Sequence, residues 1–376
     1  FTTQPVVTLQ DAGGNTVTSS SFVTVTVAVN QGTLGGTSTA NVRSGIATFE
    51  GLTLDKATTG YILMFTSPDL TAVNGSSFEV TVGPAAQLAV TTQVAGATGG
   101  VAFTTQPEVT LQDAGGNTVT QPPNTVTVTA TANKGTLGGT TEATVAAATG
   151  LATFQGLMIN QADTGYILTF ASTGLTSATS ASFEVTVGAR AKLVVATNAA
   201  GAKGGTAFTT QPVVTLQDAG GNTVSDATGV TVTAAVNKGT LGGQLTATGT
   251  ANGVTFSGLK INEADTGYIL MFTSSGLTAV NGTAFEVTVG SGAKLAVSRQ
   301  AAGATGGVAF TTQPQVTLQD AGGNTVTSSS DVTVTVAANK GTLGGTRTAT
   351  VTSSTGIATF DGLKINEAAT GYILMF

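Results

Sequence analysis

The stretch Asp163-Thr164-Gly165-Tyr166-Ile167-Leu168-Thr169-Phe170 decides how this chain is built. Its last six residues recur, with one variable position, at 60–65, 267–272 and 371–376. The 376-residue chain has 4 tyrosines, and all stand in this motif, as Tyr61, Tyr166, Tyr268 and Tyr372. A residue type used once per copy serves one purpose in each. A Tyr that opens a strand after an Asp-x-Gly corner predicts a tyrosine corner: the ring fills one end of a core and the hydroxyl bonds backbone a few residues upstream. The functional alternative is a catalytic or ligand-stacking Tyr, but a buried Tyr with a satisfied hydroxyl is the commoner outcome.

Outward from the motif, the whole chain is repetitive. Phe-Thr-Thr-Gln-Pro opens at Phe1, Phe103, Phe208 and Phe310. A period of roughly one hundred residues is too long for a solenoid unit and fits one β-sandwich. Each copy then reads as strands. In Val6-Val7-Thr8-Leu9-Gln10 the first position becomes Glu108, Val213 and Gln315, while Val7 and Leu9 stay Val and Leu throughout. Alternate side chains point to opposite faces, so positions 7 and 9 face the core and position 6 faces water. Asp11-Ala12-Gly13-Gly14-Asn15 turns the chain, with Asp113, Asp218 and Asp320 opening the same turn in the other copies. Residues 23–27, and their copies at 126–130, 230–234 and 332–336, alternate apolar residues with Thr in a period-two strand. A Gly-rich bend, a variable edge segment, a buried Phe (Phe49, Phe154, Phe256, Phe360), the Gly-Tyr-Ile-Leu strand and a closing Phe-Glu-Val-Thr-Val strand complete the unit.

These features predict an all-β fold: tandem immunoglobulin-like β-sandwich domains arranged end to end as a rod. The boundaries fall at 1–83, 84–188, 189–290 and 291–376. Only a few residues, such as Gly83-Pro84-Ala85-Ala86, separate one copy from the next, which limits bending. The first copy lacks the Leu-Ala-Val strand that opens the others at Leu88, Leu193 and Leu295, and the fourth stops before its closing strand. The expectation is a window on a longer repetitive protein. The alternative is strand exchange, in which a neighbour completes the open edge.

Composition excludes much else. The chain has no Cys, Trp or His, so it has no disulfide framework, no thiolate or imidazole metal site and no histidine-based triad. Charged residues are 9%, the net charge is −6, and no basic patch exists to meet nucleic acid. No apolar run reaches membrane-spanning length; the positive mean hydropathy comes from Val, Ala and Leu alternating with Thr.

The segments Val-x-Leu-Gln-Asp-Ala-Gly-Gly-Asn-Thr-Val at 7–17, 109–119, 214–224 and 316–326, with Gly-x-Ala-Thr-Phe at 45–49, 150–154 and 356–360, resemble bacterial immunoglobulin-like repeats of the Big type, as in invasin- and intimin-like adhesins. The third copy departs with Gly253-Val254-Thr255-Phe256, one residue shorter. The resemblance implies a surface-exposed scaffold and carries over no catalytic or binding residue.

Candidate sites read as structural. Asp11, Asp113, Asp218 and Asp320 offer one carboxylate per turn, where calcium takes six to eight oxygens. An isopeptide link from Lys134, Lys238 or Lys340 is not expected, because Met158 and Gln161 in the second copy replace Lys260 and Glu263 of the third. Asn74-Gly75-Ser76 and Asn281-Gly282-Thr283 match the N-glycosylation pattern but read as turns. The Thr-rich faces read as solvated strand faces rather than as sites for glycan or ice. The expected function is a structural extracellular rod, spacer or stalk of a bacterial surface protein. The runner-up is an adhesin binding glycans or cell surfaces. No enzyme activity, cofactor or metal is assigned. The expected partners are adjacent repeats of the same protein, with like fibres and cell-surface glycans as further candidates.

Overall fold

The computed structural model describes residues 1–18, 24–122, 125–327 and 332–376. Every regular element among them is a β-strand. The chain forms two compact units, Phe1–Gly188 and Ala189–Phe376. Each unit holds two separate hydrophobic cores, one per sequence copy.

The second copy shows the complete pattern. Gln87–Thr92, Glu108–Gln112 and Leu151–Thr153 pair antiparallel in one sheet. Glu142–Thr144, Thr127–Ala132, Leu168–Ala171 and Ala178–Thr179 form the other, in that order. Leu88, Val109, Leu111 and Ala152 from the first sheet share one core with Val128, Ala130, Leu168 and Phe170 from the second. Two-residue alternation is the cause, since it turns every second side chain inward. Phe154 packs on Phe170 with ring centroids 5.3 Å apart, and Phe256 on Phe272 at the same distance. A parallel bridge between Thr98 and Thr186 ties the opening segment to the closing one. The third copy repeats this arrangement with Lys192–Thr197, Val213–Gln217 and Val254–Thr255 facing the sheet of Thr246–Thr248, Thr231–Val236, Leu270–Thr273 and Val280–Asn281. The fold is therefore all-β, with immunoglobulin-like sandwiches in tandem.

The Gly-Tyr-Ile-Leu stretch is two strands rather than one. Asp163–Tyr166 pairs with Phe183–Val185, whereas Leu168–Ala171 pairs with Thr127–Ala132. The break falls at Ile167. Its N–H donates to the side-chain oxygen of Asn133 at 2.9 Å, and the Asn133 amide donates to Gly165 O at 3.0 Å. Asn30, Asn237 and Asn339 do the same in the other copies. One carboxamide thus bridges the point where the chain leaves one partner strand for the next.

In the first copy Val6–Thr8 pairs with Ile46–Thr48 alone among the described residues, and Val6 is 58% exposed. Val7 and Leu9 are only half-buried there, whereas their counterparts Val109 and Leu111 are fully buried. The predicted strand start at Val23 lies outside the described residues.

The Gln of Phe-Thr-Thr-Gln-Pro acts as a stitch. Gln211 Nε2 donates to Phe208 O at 2.9 Å and Leu259 O at 3.2 Å, and Leu259 N donates back to Gln211 Oε1 at 3.0 Å. Gln4, Gln106 and Gln313 make the same three contacts. A Pro follows at Pro212 and cannot donate a backbone N–H, so the side chain supplies pairing that the strand cannot. Gln211→Ala should cost about 2 kcal/mol, because it strands backbone groups of buried Leu259. Urea unfolding of the full chain measures it; an unchanged curve would remove the stitch from the account.

The turn-to-loop junction as the candidate functional site

The site is built from two pieces of sequence that lie in adjacent copies. The first piece is the turn opened by Asp113. Its Oδ1 accepts from the backbone N–H groups of Gly115 and Asn117, each at 2.9 Å, and from Asn117 Nδ2 at 3.0 Å. This Asx geometry folds the five residues back on themselves. The other oxygen, Oδ2, accepts from Asn117 Nδ2 at 2.9 Å and from the linker amide Gly83 N at 2.8 Å.

The second piece is the loop just before the tyrosine. Tyr61 Oη donates to Lys56 O at 2.7 Å, five residues upstream. Tyr166, Tyr268 and Tyr372 donate likewise to Gln161 O, Glu263 O and Glu367 O at 2.8, 3.0 and 2.9 Å. Tyr61, Tyr166 and Tyr268 are fully buried, and each ring lies against the Phe of the closing strand: Phe78, Phe183 and Phe285. Burial, with help from Asp163, pushes the Tyr166 phenol up, so it stays a neutral donor.

Asn117 joins the two pieces. Its Nδ2 donates to Asp55 O at 2.8 Å, and Ala57 N donates to its Oδ1 at 2.9 Å. The carboxamide therefore pairs with residues 55 and 57, on either side of the carbonyl that Tyr61 holds. The second unit repeats the device: Asn324 Nδ2 donates to Asn262 O at 2.6 Å, Ala264 N donates to Asn324 Oδ1 at 2.9 Å, and Gly290 N donates to Asp320 Oδ2 at 2.8 Å. There the contact is closer, because Gly205 of the third copy lies against Gly322, where an added Cβ would stand 2.2 Å from the Gly322 nitrogen. Asp320 is accordingly fully buried, and Asp113 is 5% exposed.

Asp11 and Asn15 make the same internal turn, with Gly13 N and Asn15 N both 2.9 Å from Asp11 Oδ1, but the turn is exposed. Asp218 is fully buried and accepts from Asn222 N and Nδ2. Sequence reading places the four Asp residues in turns and the four Tyr residues in cores. It does not pair the turn of one copy with the tyrosine loop of the copy before it. Local pattern carries no sign of it, because Asn15 stands at the same place in a turn that is exposed.

Chemically, the turn carboxylates are acceptors surrounded by N–H donors, the reverse of a cation site. Burial raises the Asp113 carboxyl, but the bonds from Asn117, Gly83 and Gly115 outweigh it and hold it below the usual carboxylate value. Asp320 is held down in the same way by Gly290 and Asn324 against burial. Lys134 Nζ lies 2.7 Å from Asp163 Oδ2 and 4.8 Å from the centre of the Tyr166 ring, and also meets Thr164 O. Lys238 pairs with Asp265 in the same way. Among the described residues, no group of three or more acidic side chains is placed to hold a metal.

No protein-family model and no curated protein sequence matches the chain. Solved structures similar to it include the D0-D1 domain of intimin, at 17% identity over 55% of this chain and 99% of that one, with a TM-score of 0.21. Invasin, a bacterial integrin-binding protein, is 14% identical over 98% of this chain and 74% of that one, with a TM-score of 0.24. Domains 4–9 of the surface layer protein SbsC are 14% identical over 98% of this chain and 59% of that one, at 0.21.

Two outcomes are expected. An added Cβ on Gly115 would stand 2.2 Å from Asp55 O, whereas on Gly13 it would meet only its own turn at 3.2 Å. Gly115→Ala should therefore destabilise by about 1–3 kcal/mol and Gly13→Ala by less than about 1 kcal/mol; equal losses in urea titrations would contradict the docking. Because the folded pKa values of Asp113 and Asp320 lie below the unfolded value of about 3.9, their contribution is present above about pH 4 and lost as pH falls through the folded values. Thermal melts at about pH 6 and about pH 3 should show the acid sample melting earlier, and less so for Asp113→Asn/Asp320→Asn.

Proposed function

We propose that this chain is a structural spacer: a series of sandwiches that holds or presents other domains at the outside of a cell, with the first copy set at a fixed angle to the second and the third to the fourth. The observation that supports it is the junction at Asp113 and Asn117, and again at Asp320 and Asn324. A flexible tether would need no such device, since a short Gly-rich linker bends freely. Here the linker amide, the turn and the preceding loop are tied together by directed hydrogen bonds, each with defined geometry. Bending the junction breaks three bonds at once and exposes a carboxylate and a carboxamide that are already satisfied.

The composition fits the same role. A chain with no Cys has no thiol to oxidise, and the Thr-rich strand faces stay hydrated without carrying charge. The recurring acids Asp113 and Asp320 are engaged as turn acceptors. The partners proposed are neighbouring copies of the same protein.

Electron micrographs of the full chain test the reading. The angle between the first and second beads, and between the third and fourth, should be narrowly distributed, and broader in Asn117→Ala/Asn324→Ala. Asn15→Ala, in the exposed turn, should leave it unchanged. A wild-type chain that bends as freely as the double variant would end the spacer reading.

A further inference from the structure

We infer that Tyr61 of the first copy and Tyr268 of the third are positioning residues for the copy that follows each, and not only fillers of their own cores. The inference rests on the spacer reading and goes one step deeper, by naming what prepares the docking surface. The surface that Asn117 meets consists of two backbone groups, Asp55 C=O and Ala57 N–H. Backbone groups in an irregular loop have no intrinsic direction; something must fix them. The group between them, Lys56 C=O, accepts from Tyr61 Oη at 2.7 Å. Lys56 C=O and Ala57 N–H share one trans peptide plane, so pinning the carbonyl toward the core turns that N–H outward to the arriving carboxamide, and the adjoining peptide that carries Asp55 C=O is constrained through Lys56. The same three-residue register recurs in the second unit, with Glu263 C=O held by Tyr268 Oη and Asn262 C=O and Ala264 N–H presented to Asn324.

The tyrosine can hold this position because its ring is immobile. Tyr61 and Tyr268 are fully buried and lie 5.7 and 6.0 Å from the rings of Phe78 and Phe285. Gly32 leaves the space at the hydroxyl: a Cβ there would stand 2.7 Å from Tyr61 Oη. Burial and nearby Glu263 and Asp265 raise the Tyr268 phenol, which keeps the proton on the donor. A core residue of one copy thereby sets the geometry at which the following copy seats. Two-residue pairing by a side-chain amide works only if its backbone partners are held rigid, because ordering a loose loop at the moment of docking would cost conformational entropy.

Amide hydrogen exchange in the full chain separates this role from simple core stability. In Tyr61→Phe the exchange of Ala57 N–H should accelerate about tenfold relative to the amides of Leu63 and Phe65 in the same core, because the junction opens before the sandwich does. Tyr268→Phe should do the same at Ala264 against Leu270 and Phe272. Asn117→Ala provides the reference for a fully released Ala57. If Tyr61→Phe speeds Ala57 and the core amides by the same factor, or leaves Ala57 unchanged while Asn117→Ala releases it, the positioning role is overturned and the spacer reading stands. If Asn117→Ala itself leaves Ala57 as protected as in the wild type, the docking fails, and the spacer reading fails with it.

Discussion

In the first unit three consecutive residues of backbone, Asp55-Lys56-Ala57, are held from two sides. From inside, the Tyr61 hydroxyl takes the middle carbonyl. From outside, the Asn117 carboxamide takes the groups on either side of it. A loop that connected two strands and nothing more would leave these groups to water. Here they belong at once to the core of one sandwich and the seat of the next. The same arrangement in residues 262–264 shows that it is a property of the unit and not of one junction.

A second theme is the use of neutral amides where other proteins of this size place charges or disulfides. Gln106 and Gln211 stitch the opening segment to the Gly-Leu turn across the sandwich. Asn133 and Asn237 bridge the break at Ile167 and Ile269. Asn117 and Asn324 join copies. A carboxamide carries both a donor and an acceptor, so it can complete a backbone pair without the desolvation cost of an ion. That suits a chain with 9% charged residues, and among the described residues no buried side-chain polar atom lacks a partner. The charged pairs that do form, Lys134 with Asp163 and Lys238 with Asp265, are half-exposed and contribute little to stability.

Glycine placement follows from the same close approaches. In the bend before the edge strand, Gly139 has φ +89°, and an added Cβ would stand 2.1 Å from Gly156 O. At the junction, Gly115 is confined by Asp55 O of the preceding copy, a restraint that Gly13 of the uncovered turn does not feel. Identical residues in identical turns therefore carry different constraints, according to what lies opposite them.

The amino-acid sequence by itself determined the period, the all-β class and the inward positions. Period-two alternation puts Val109 and Leu111 on one face of their strand, although Val7 and Leu9 in the same pattern are only half-buried, and a lone Tyr after Asp-x-Gly has few places to go. It also determined the turns, because Asp113 and Asn117 lie within one another's reach along the chain. What only the tertiary structure decided lies between elements distant in sequence. That Ile167 marks a change of partner strand depends on Asn133, thirty-four residues away. That Asn117 also reaches beyond its own turn to pair with residues 55 and 57 depends on how one sandwich meets the next. Such contacts are single hydrogen bonds from uncharged side chains to backbone, and any sequence can supply the backbone half. Nothing in local residue pattern distinguishes an Asn that closes its own turn from one that also reaches across to a neighbour.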